Sequence, residues 1–209
     1  MYDEYHIYCS DSKNDHTGDP MRVSREVAAR NHERIVDAAS QLFRERGFDG
    51  IGVADLMKAV GLTHGGFYGH FSSKEDLMAQ ACARAAAHSQ ESWSRRVDSS
   101  PDDPLTPIAR AYLSARHRDD PGAGCLLAAL GSDAARQGPG VRSTITQAVR
   151  RALELLTELV PGNSAEKRRR KAITVYASWI GAMIMARAVD DRALSQEILQ
   201  AVLASSCNS

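Results

Sequence analysis

The spacing of apolar residues along the chain predicts a helical protein. From about Ser24 to Arg46, apolar residues recur every three or four positions and form one stripe of an amphipathic helix. The residues of this stripe are Ile35, Ala38, Ala39, Leu42 and Phe43. Gly47 follows and can adopt the left-handed conformation that ends many helices. No stretch alternates between apolar and polar residues as a strand would, so we expect an all-α fold.

Three further helix starts follow the first helix. A short helix is predicted over Val53–Val60, with Gly52 at its N-cap. After a glycine break, Thr63 is the predicted N-cap of a helix covering about 64–71, and Ser73 caps the next one. Two short helices joined by a turn have the layout of a helix-turn-helix unit.

Proline and glycine divide the rest of the chain into longer helices. Three helices are expected between these breaks, over about 108–117, 124–137 and 141–160. Ser164 is the predicted cap of a long helix that reaches about Val189, and Ser195 is the predicted cap of the last helix.

These patterns divide the chain into three regions. Residues 1–20 show neither a helical nor a strand period, and we expect them to be disordered. Met21 opens the helical pattern and is a candidate translation start. We expect a DNA-binding domain over 21–80 and a second helical domain over 81–209.

Composition narrows the classes of function. The 26 Lys and Arg residues balance the 26 Asp and Glu residues, so DNA binding would depend on where the charges lie, not on their sum. The four cysteines, Cys9, Cys82, Cys125 and Cys207, lack zinc-site spacing, so we expect no metal and no other cofactor. No apolar run approaches the roughly 18 residues that span a bilayer, and we expect a cytoplasmic protein without a membrane partner.

The segment from Leu42 to Leu77 carries a set of landmarks in an uninterrupted order. They are Phe43, Gly47, Phe48, Val53, Leu56, Ala59, Gly61, Thr63, Gly65, Phe67, Tyr68, His70, Phe71, Lys74 and Leu77. This stretch resembles the DNA-binding domain of the tetracycline-repressor (TetR) family. The resemblance implies an N-terminal three-helix helix-turn-helix domain and a C-terminal helical domain for effector binding and dimerisation.

By this resemblance, the protein is a sequence-specific transcriptional regulator. A homodimer would bind a pseudo-palindromic operator in double-stranded DNA and release it when a small-molecule effector binds. The residues expected at the DNA are Arg22, Arg25, Arg30, Gly52, Thr63, His64, Gly65, Gly66, Tyr68, Gly69 and Lys74. Among them, Tyr68 and Lys74 would contact phosphates. Gly52 stands where the family usually has Ser or Thr, so a hydroxyl contact with phosphate would be missing.

Three glycines crowd the second helix of this unit, at 65, 66 and 69. Each glycine in a helix interior costs up to about 1 kcal/mol. Close approach of the backbone to DNA gives a reason for that cost.

The second half of the chain supplies candidates for an effector pocket and a dimer interface. The pocket candidates are Trp93, Tyr112, His117, Cys125, Tyr176, Trp179 and Met183, with ordinary core packing as the alternative for each. Cys125 is either a reactive thiol at a helix start or a buried, inert one. A strip of small residues and the apolar face of the last helix are expected at a dimer interface or, alternatively, in intrachain packing. These residues are Ala177, Ser178, Gly181, Ala182, Ala186, Ile198, Leu199 and Val202.

The sequence argues against an enzyme and leaves two other kinds of protein open. An enzyme would need a nucleophile with its base, a metal cluster or a phosphate loop, and we find no such motif, so we expect no catalytic residues. A helical small-molecule-binding or scaffold protein that has lost operator binding remains open, because the net charge is zero and Gly52 lacks a hydroxyl. An activator or a ligand-independent regulator also remains open.

Overall fold

The computed structural model describes residues 20–207, with side chains described for 24–206. This part of the chain is helical and contains no strand, which confirms the predicted fold class. Its elements are α1 (Pro20–Arg46), α2 (Val53–Ala59), a 3-10 helix (His64–Gly69), α3 (Lys74–Ser99), α4 (Leu105–Tyr112), α5 (Ala115–Asp119), α6 (Leu126–Ala134), α7 (Pro139–Leu159), α8 (Ala165–Ala188) and α9 (Arg192–Cys207). None of these helices is both long and apolar enough to cross a membrane. The extension predicted to be disordered lies, except for Pro20, outside the described residues.

The first core joins α1, α2, the 3-10 helix and the start of α3. Ile35, Ala39 and Phe43 of the α1 stripe are buried there, and Phe43 packs edge-on against Phe48 with 5.4 Å between ring centroids. Gly47 ends α1 with a φ of +76°, and its N–H donates to the Phe43 carbonyl at 2.8 Å. This is the left-handed termination predicted from the sequence.

The second core lies among α4, α7, α8 and α9, around the fully buried Trp179. Helix α6 contributes to both cores. Its Leu126 and Leu130 belong to the first core, and its Ala128 belongs to the second. A movement of α6 therefore acts on the packing of both cores.

Of the three serines predicted as caps, two are confirmed and one is wrong. The hydroxyls of Ser73 and Ser164 accept hydrogen bonds from backbone N–H groups three residues later. Ser195, by contrast, lies inside α9, where its hydroxyl is buried and donates to the Ala186 carbonyl at 2.6 Å. Asp191 caps this helix instead, because its Oδ1 accepts from the N–H groups of Ala193 and Leu194.

Two predicted helices differ in form. The helix expected over 108–117 is broken after Tyr112, because Ser114 starts a new helix by accepting from the His117 N–H at 3.2 Å. The helix after Thr63 is a 3-10 helix that ends at Gly69, and the Thr63 side chain forms no capping hydrogen bond. The Thr63 carbonyl accepts from the Gly66 N–H at 3.1 Å, which is the tighter 3-10 pairing.

Candidate functional site

The 3-10 helix is held by its aromatic residues and exposes the rest of its surface. Phe67 and Phe71 are buried in the first core with their rings stacked at 5.4 Å between centroids. Tyr68 points away from this core and is 69% exposed, the largest exposed fraction among the big apolar side chains described. The exposed surface also includes Thr63, His64, Gly65, Gly66 and Gly69. The residues predicted to face the DNA groove are therefore brought together on one accessible turn.

The three glycines of this turn are not required by the packing of the protein itself. A Cβ added to Gly65 or Gly69 would meet no atom within 4 Å. At Gly66 it would lie 3.6 Å from Thr63 Oγ1, which is an ordinary contact. None of the three adopts a positive φ. Packing and backbone conformation within the described protomer therefore give no reason for glycine here, whereas a close external surface would provide one.

Lys74 is placed differently from the expectation. Its ammonium donates to the carbonyls of Phe48 and Ile51, at 2.6 and 3.0 Å, and the side chain is partly buried. These bonds tie the start of α3 to the loop between α1 and α2. The geometry therefore favours Lys74 as a residue that positions the helix-turn-helix over one that binds phosphate through its charge.

The remaining predicted contacts lie around the turn. Gly52 is exposed at the N-cap of α2, where an added Cβ would fit 3.7 Å from Asp55 Oδ2. Arg25 and Arg30 are exposed on α1. Arg22 also lies in α1, but its side chain is outside the described residues.

A cavity of about 770 Å³ lies between the two cores, within the 300–1,000 Å³ usual for small-ligand sites. Five predicted pocket residues line it: Trp93, Tyr112, His117, Cys125 and Tyr176. Trp179 and Met183 are fully buried and do not line it. The Trp179 indole N–H donates to Ser206 Oγ at 2.8 Å, so this ring is held on the side of α9.

His117 is held as the neutral tautomer with its proton on Nδ1. Nε2 accepts from the Cys125 N–H at 2.8 Å, so Nδ1 carries the proton and donates it to the Tyr112 carbonyl at 2.6 Å. Burial lowers the pKa of this imidazole, which favours the neutral form. His117 thereby connects α4 to the start of α6 along the cavity wall.

Two phenols and a thiol meet inside the cavity. The Tyr176 hydroxyl lies 4.0 Å from Cys125 Sγ. Burial raises the pKa of both Tyr112 and Tyr176 well above the usual value, so both phenols are neutral. The Tyr112 hydroxyl is buried without a hydrogen-bond partner among the described residues. A buried hydroxyl without a partner is costly, and a ligand atom could satisfy it.

Arg44 is not among the residues predicted from the sequence, yet it is only 8% exposed and lines the cavity from α1. Its Nε donates to the Ser40 carbonyl at 2.9 Å and its Nη1 donates to the Gly124 carbonyl at 3.0 Å. The register of α1 carried the signal, because Val36, Ser40 and Arg44 are four residues apart and the first is a core residue. Arg44 thus joins the DNA-binding half of the chain to the loop before α6.

An unpartnered apolar face runs along α8 and α9. It includes Ile173, Ile184, Met185 and Leu194, each more than two-fifths exposed. Ala177 and Ser178 are exposed beside them, and a Cβ at Gly181 would meet nothing within 4 Å.

The other residues predicted at a dimer interface face the protomer's own core. Ala182, Ala186 and Leu199 are buried in the second core, and Ile198 and Val202 pack against it. In the described protomer these five residues therefore take part in intrachain packing.

Comparison with known proteins places this fold among regulators. Residues 35–81 match the family described as "Bacterial regulatory proteins, tetR family". The HTH-type transcriptional repressor DhaR of Mycobacterium sp. (strain GP1) is 26% identical over 161 residues, 73% of this chain and 80% of DhaR. The HTH-type transcriptional repressor NemR of Escherichia coli (strain K12) is 25% identical over 166 residues, 74% of this chain and 83% of NemR. The crystal structure of reduced E. coli NemR matches with a TM-score of 0.72 at 23% identity, covering 85% of this chain and 95% of that one.

A helical domain with an exposed helix-turn-helix, followed by a helical domain with a cavity, defines a DNA-binding transcriptional regulator. Residues 35–81, which include the helix-turn-helix, match the TetR family of bacterial regulatory proteins, and the similar proteins that cover most of the chain are HTH-type transcriptional repressors. Regulators of this family bind operator DNA and generally act as dimers with small-molecule effectors.

Proposed function

We propose that the protein is a homodimeric repressor that binds a pseudo-palindromic operator and releases it when a small molecule occupies the cavity. Residues 21–80 would bind the DNA, and residues 81–209 would bind the effector and form the dimer. It would act by binding and not by catalysis, in the cytoplasm, where bacterial DNA is found. The repressors DhaR and NemR are similar over most of this chain, which supports repression over activation.

The exposed turn at 63–69 is the observation that carries the proposal. Its aromatic residues are anchored in the core, while Tyr68 and glycines with no packing role face outward. A rigid turn with a small, open surface can approach a groove closely, and an exposed phenol can donate to a phosphate oxygen. Thr63 and His64 would be the side chains that read bases, together with DNA shape.

The exposed face of α8 and α9 supports assembly with a second copy. Of the large apolar side chains that are exposed in the described residues, four lie on this face: Ile173, Ile184, Met185 and Leu194. Gly181 leaves open space in the middle of α8, where a partner helix could approach closely. A two-fold interface of four helices would bring two helix-turn-helix units to two half-sites.

The junction between α1 and the loop before α6 supports coupling between cavity and DNA. Besides the hydrogen bond from Arg44, a Cβ at Gly122 would lie 2.4 Å from Glu45 Oε1, so the loop is packed tightly on α1. The cavity also touches this loop through Gly124 and Cys125. An effector that shifts the loop would therefore shift α1. If the effector weakens operator binding in this way, linkage requires that the operator weakens effector binding by the same factor.

Fluorescence anisotropy with the DNA immediately upstream of the gene tests the proposal. We expect tight binding that unlabelled nonspecific DNA does not displace and that weakens steeply with salt. Tyr68→Phe removes only an exposed hydroxyl, so it should weaken binding several-fold while leaving the melting temperature unchanged. A folded dimer that binds no DNA at low salt, upstream of its gene or in a random-site selection, would contradict the proposal and favour a ligand-binding protein without an operator.

A further inference from the structure

We propose that the effector is an aromatic carboxylate whose carboxylate binds Arg44 and whose ring lies against Trp93 and Tyr112. This inference rests on the proposed function, because it names the ligand class of the cavity assigned there to the effector. Charge, burial and the shape of the cavity walls each support it.

The cavity lining is cationic although the whole chain is neutral. Its lining includes five arginines, Arg44, Arg95, Arg96, Arg116 and Arg151, and two carboxylates, Glu91 and Asp120. Within residues 24–206, none of these seven side chains forms an ion pair. A cavity with this excess attracts anions and raises their local concentration.

Arg44 is the most buried of these charges, and among the described residues no carboxylate forms an ion pair with it. The neighbouring Cys82 thiol is neutral, because burial raises its pKa to about 12. The charges of Asp120 and Glu45 raise the pKa of Arg44, but neither carboxylate forms an ion pair with it. Burial lowers the pKa of Arg44, which reflects the penalty of holding an unpaired charge there. A bound carboxylate would relieve that penalty.

The hydrogen-bonding groups of the site fit a carboxylate. Arg44 uses Nε and Nη1 for carbonyls of the protein and leaves Nη2 without a hydrogen bond among the described residues. The Tyr112 side chain lines the same cavity, and its buried hydroxyl has no hydrogen-bond partner among the described residues. A carboxylate oxygen accepts strongly from both kinds of donor, while an amide ligand offers one weaker acceptor.

The walls beside these donors fit an aromatic ring. Trp93 meets Tyr112 at 6.3 Å and Tyr176 at 5.8 Å between ring centroids, in both cases edge to face. Trp93 is half-buried and faces the cavity, so one more ring could extend this cluster. A ligand with a carboxylate at one end and a flat apolar ring at the other would match the hydrogen-bond donors and the aromatic side chains of the cavity lining.

Binding at Arg44 would also reach the DNA-binding half. Arg44 Nη1 donates to the Gly124 carbonyl, and a carboxylate bound at the neighbouring Nη2 would draw the same guanidinium toward the cavity. Weakening this bond loosens α1 from the loop before α6. The anion would therefore act on the contact that joins the two halves of the chain.

Isothermal titration calorimetry without DNA tests the ligand class with trans-cinnamate and its uncharged analogue cinnamamide. We expect cinnamate to bind at least tenfold more tightly than cinnamamide. Arg44→Gln should reduce the ratio of the two affinities to about one while changing cinnamamide affinity less than twofold. Arg150→Gln is the matched control, because it removes an equal charge from an exposed residue of α7 that does not line the cavity.

Each outcome decides the inference. Equal affinity for the two probes, no binding of either, or a preference that survives in Arg44→Gln would overturn it. If Arg44→Gln does not fold, the wild-type ratio and Arg44→Lys, which keeps the charge and should keep part of the preference, still decide. Binding of both probes without preference would leave the effector cavity standing, and operator binding is measured separately by anisotropy.

Discussion

Alanine at Gly65 or Gly69 should stabilise the protein and weaken its binding to operator DNA. In the isolated protomer an added methyl at either position meets nothing within 4 Å, and neither residue needs a positive φ. Alanine also restricts the unfolded chain more than glycine does. Stability and DNA affinity should therefore change in opposite directions.

The sizes of the two effects follow from the surroundings of the added methyl group, first in the free protein and then against DNA. Replacing glycine by alanine in a helical segment stabilises by about 0.5–1 kcal/mol, or about 1–4 °C in a chain of this size. A methyl placed in a close-packed contact with DNA should cost about 1–3 kcal/mol, in line with overpacking in protein cores. That cost corresponds to about 5- to 150-fold weaker operator binding.

Thermal unfolding and anisotropy on the same preparations measure both effects. Gly131→Ala is the matched control, because Gly131 lies within α6, away from the turn, and its added Cβ would meet only Leu127 Cδ2 at 3.9 Å. It should gain stability without losing DNA affinity. Wild-type DNA affinity in both Gly65→Ala and Gly69→Ala would refute the close approach of this turn to DNA.

Three further predictions concern other parts of the molecule. Lys74→Met removes two charge-assisted hydrogen bonds and should lower the free energy of unfolding by about 1.5–3 kcal/mol in urea titrations. An unchanged free energy of unfolding would show that the ammonium does not hold the α1–α2 loop in place. Ile184→Glu should convert the proposed dimer to a monomer in analytical ultracentrifugation. Val27→Glu is the control, because Val27 is a similarly exposed residue of α1, and it should leave the dimer intact. A dimeric Ile184→Glu protein would contradict the α8–α9 interface. Burial holds the pKa of His117 below 6.5 in the folded state, so the unfolded state takes up the proton first as the pH falls. Its contribution to stability should be complete above about pH 6.5 and decrease below it, and a His117→Gln variant with the same pH profile in unfolding experiments would argue against this role.

Local signals predicted much of the architecture. The stripe on α1, the glycine that ends it and the caps Ser73 and Ser164 depend on neighbours in sequence, and the structure has them where the pattern indicates. Ser195 failed as a cap because Asp191, four residues earlier, offers a better acceptor and starts the helix sooner.

The side of each helix that faces the core was harder to predict than the position of the helix in the sequence. Helix α8 carries apolar or small residues around most of its circumference, so the sequence does not indicate which side faces the core. The sequence therefore predicts Ala182 at a dimer interface and does not single out Ile184. In the structure Ala182 is buried and Ile184 is exposed. Likewise Trp93 and Trp179 look equivalent in sequence, but only the first reaches the cavity. Arg44 was missed because its role depends on a carbonyl 80 residues away.

Hydroxyl-radical footprinting of the DNA upstream of the gene tests the central claim most directly. Two copies joined through α8 and α9, each with one exposed turn, should protect two half-sites on one face of the duplex, with centres about 34–36 Å apart or a multiple of that spacing. Both half-sites should lose protection together in the Ile184→Glu variant. A single protected half-site, or a pair that the monomeric variant still protects at the same concentration, would contradict a symmetric dimer that reads DNA through residues 63–69.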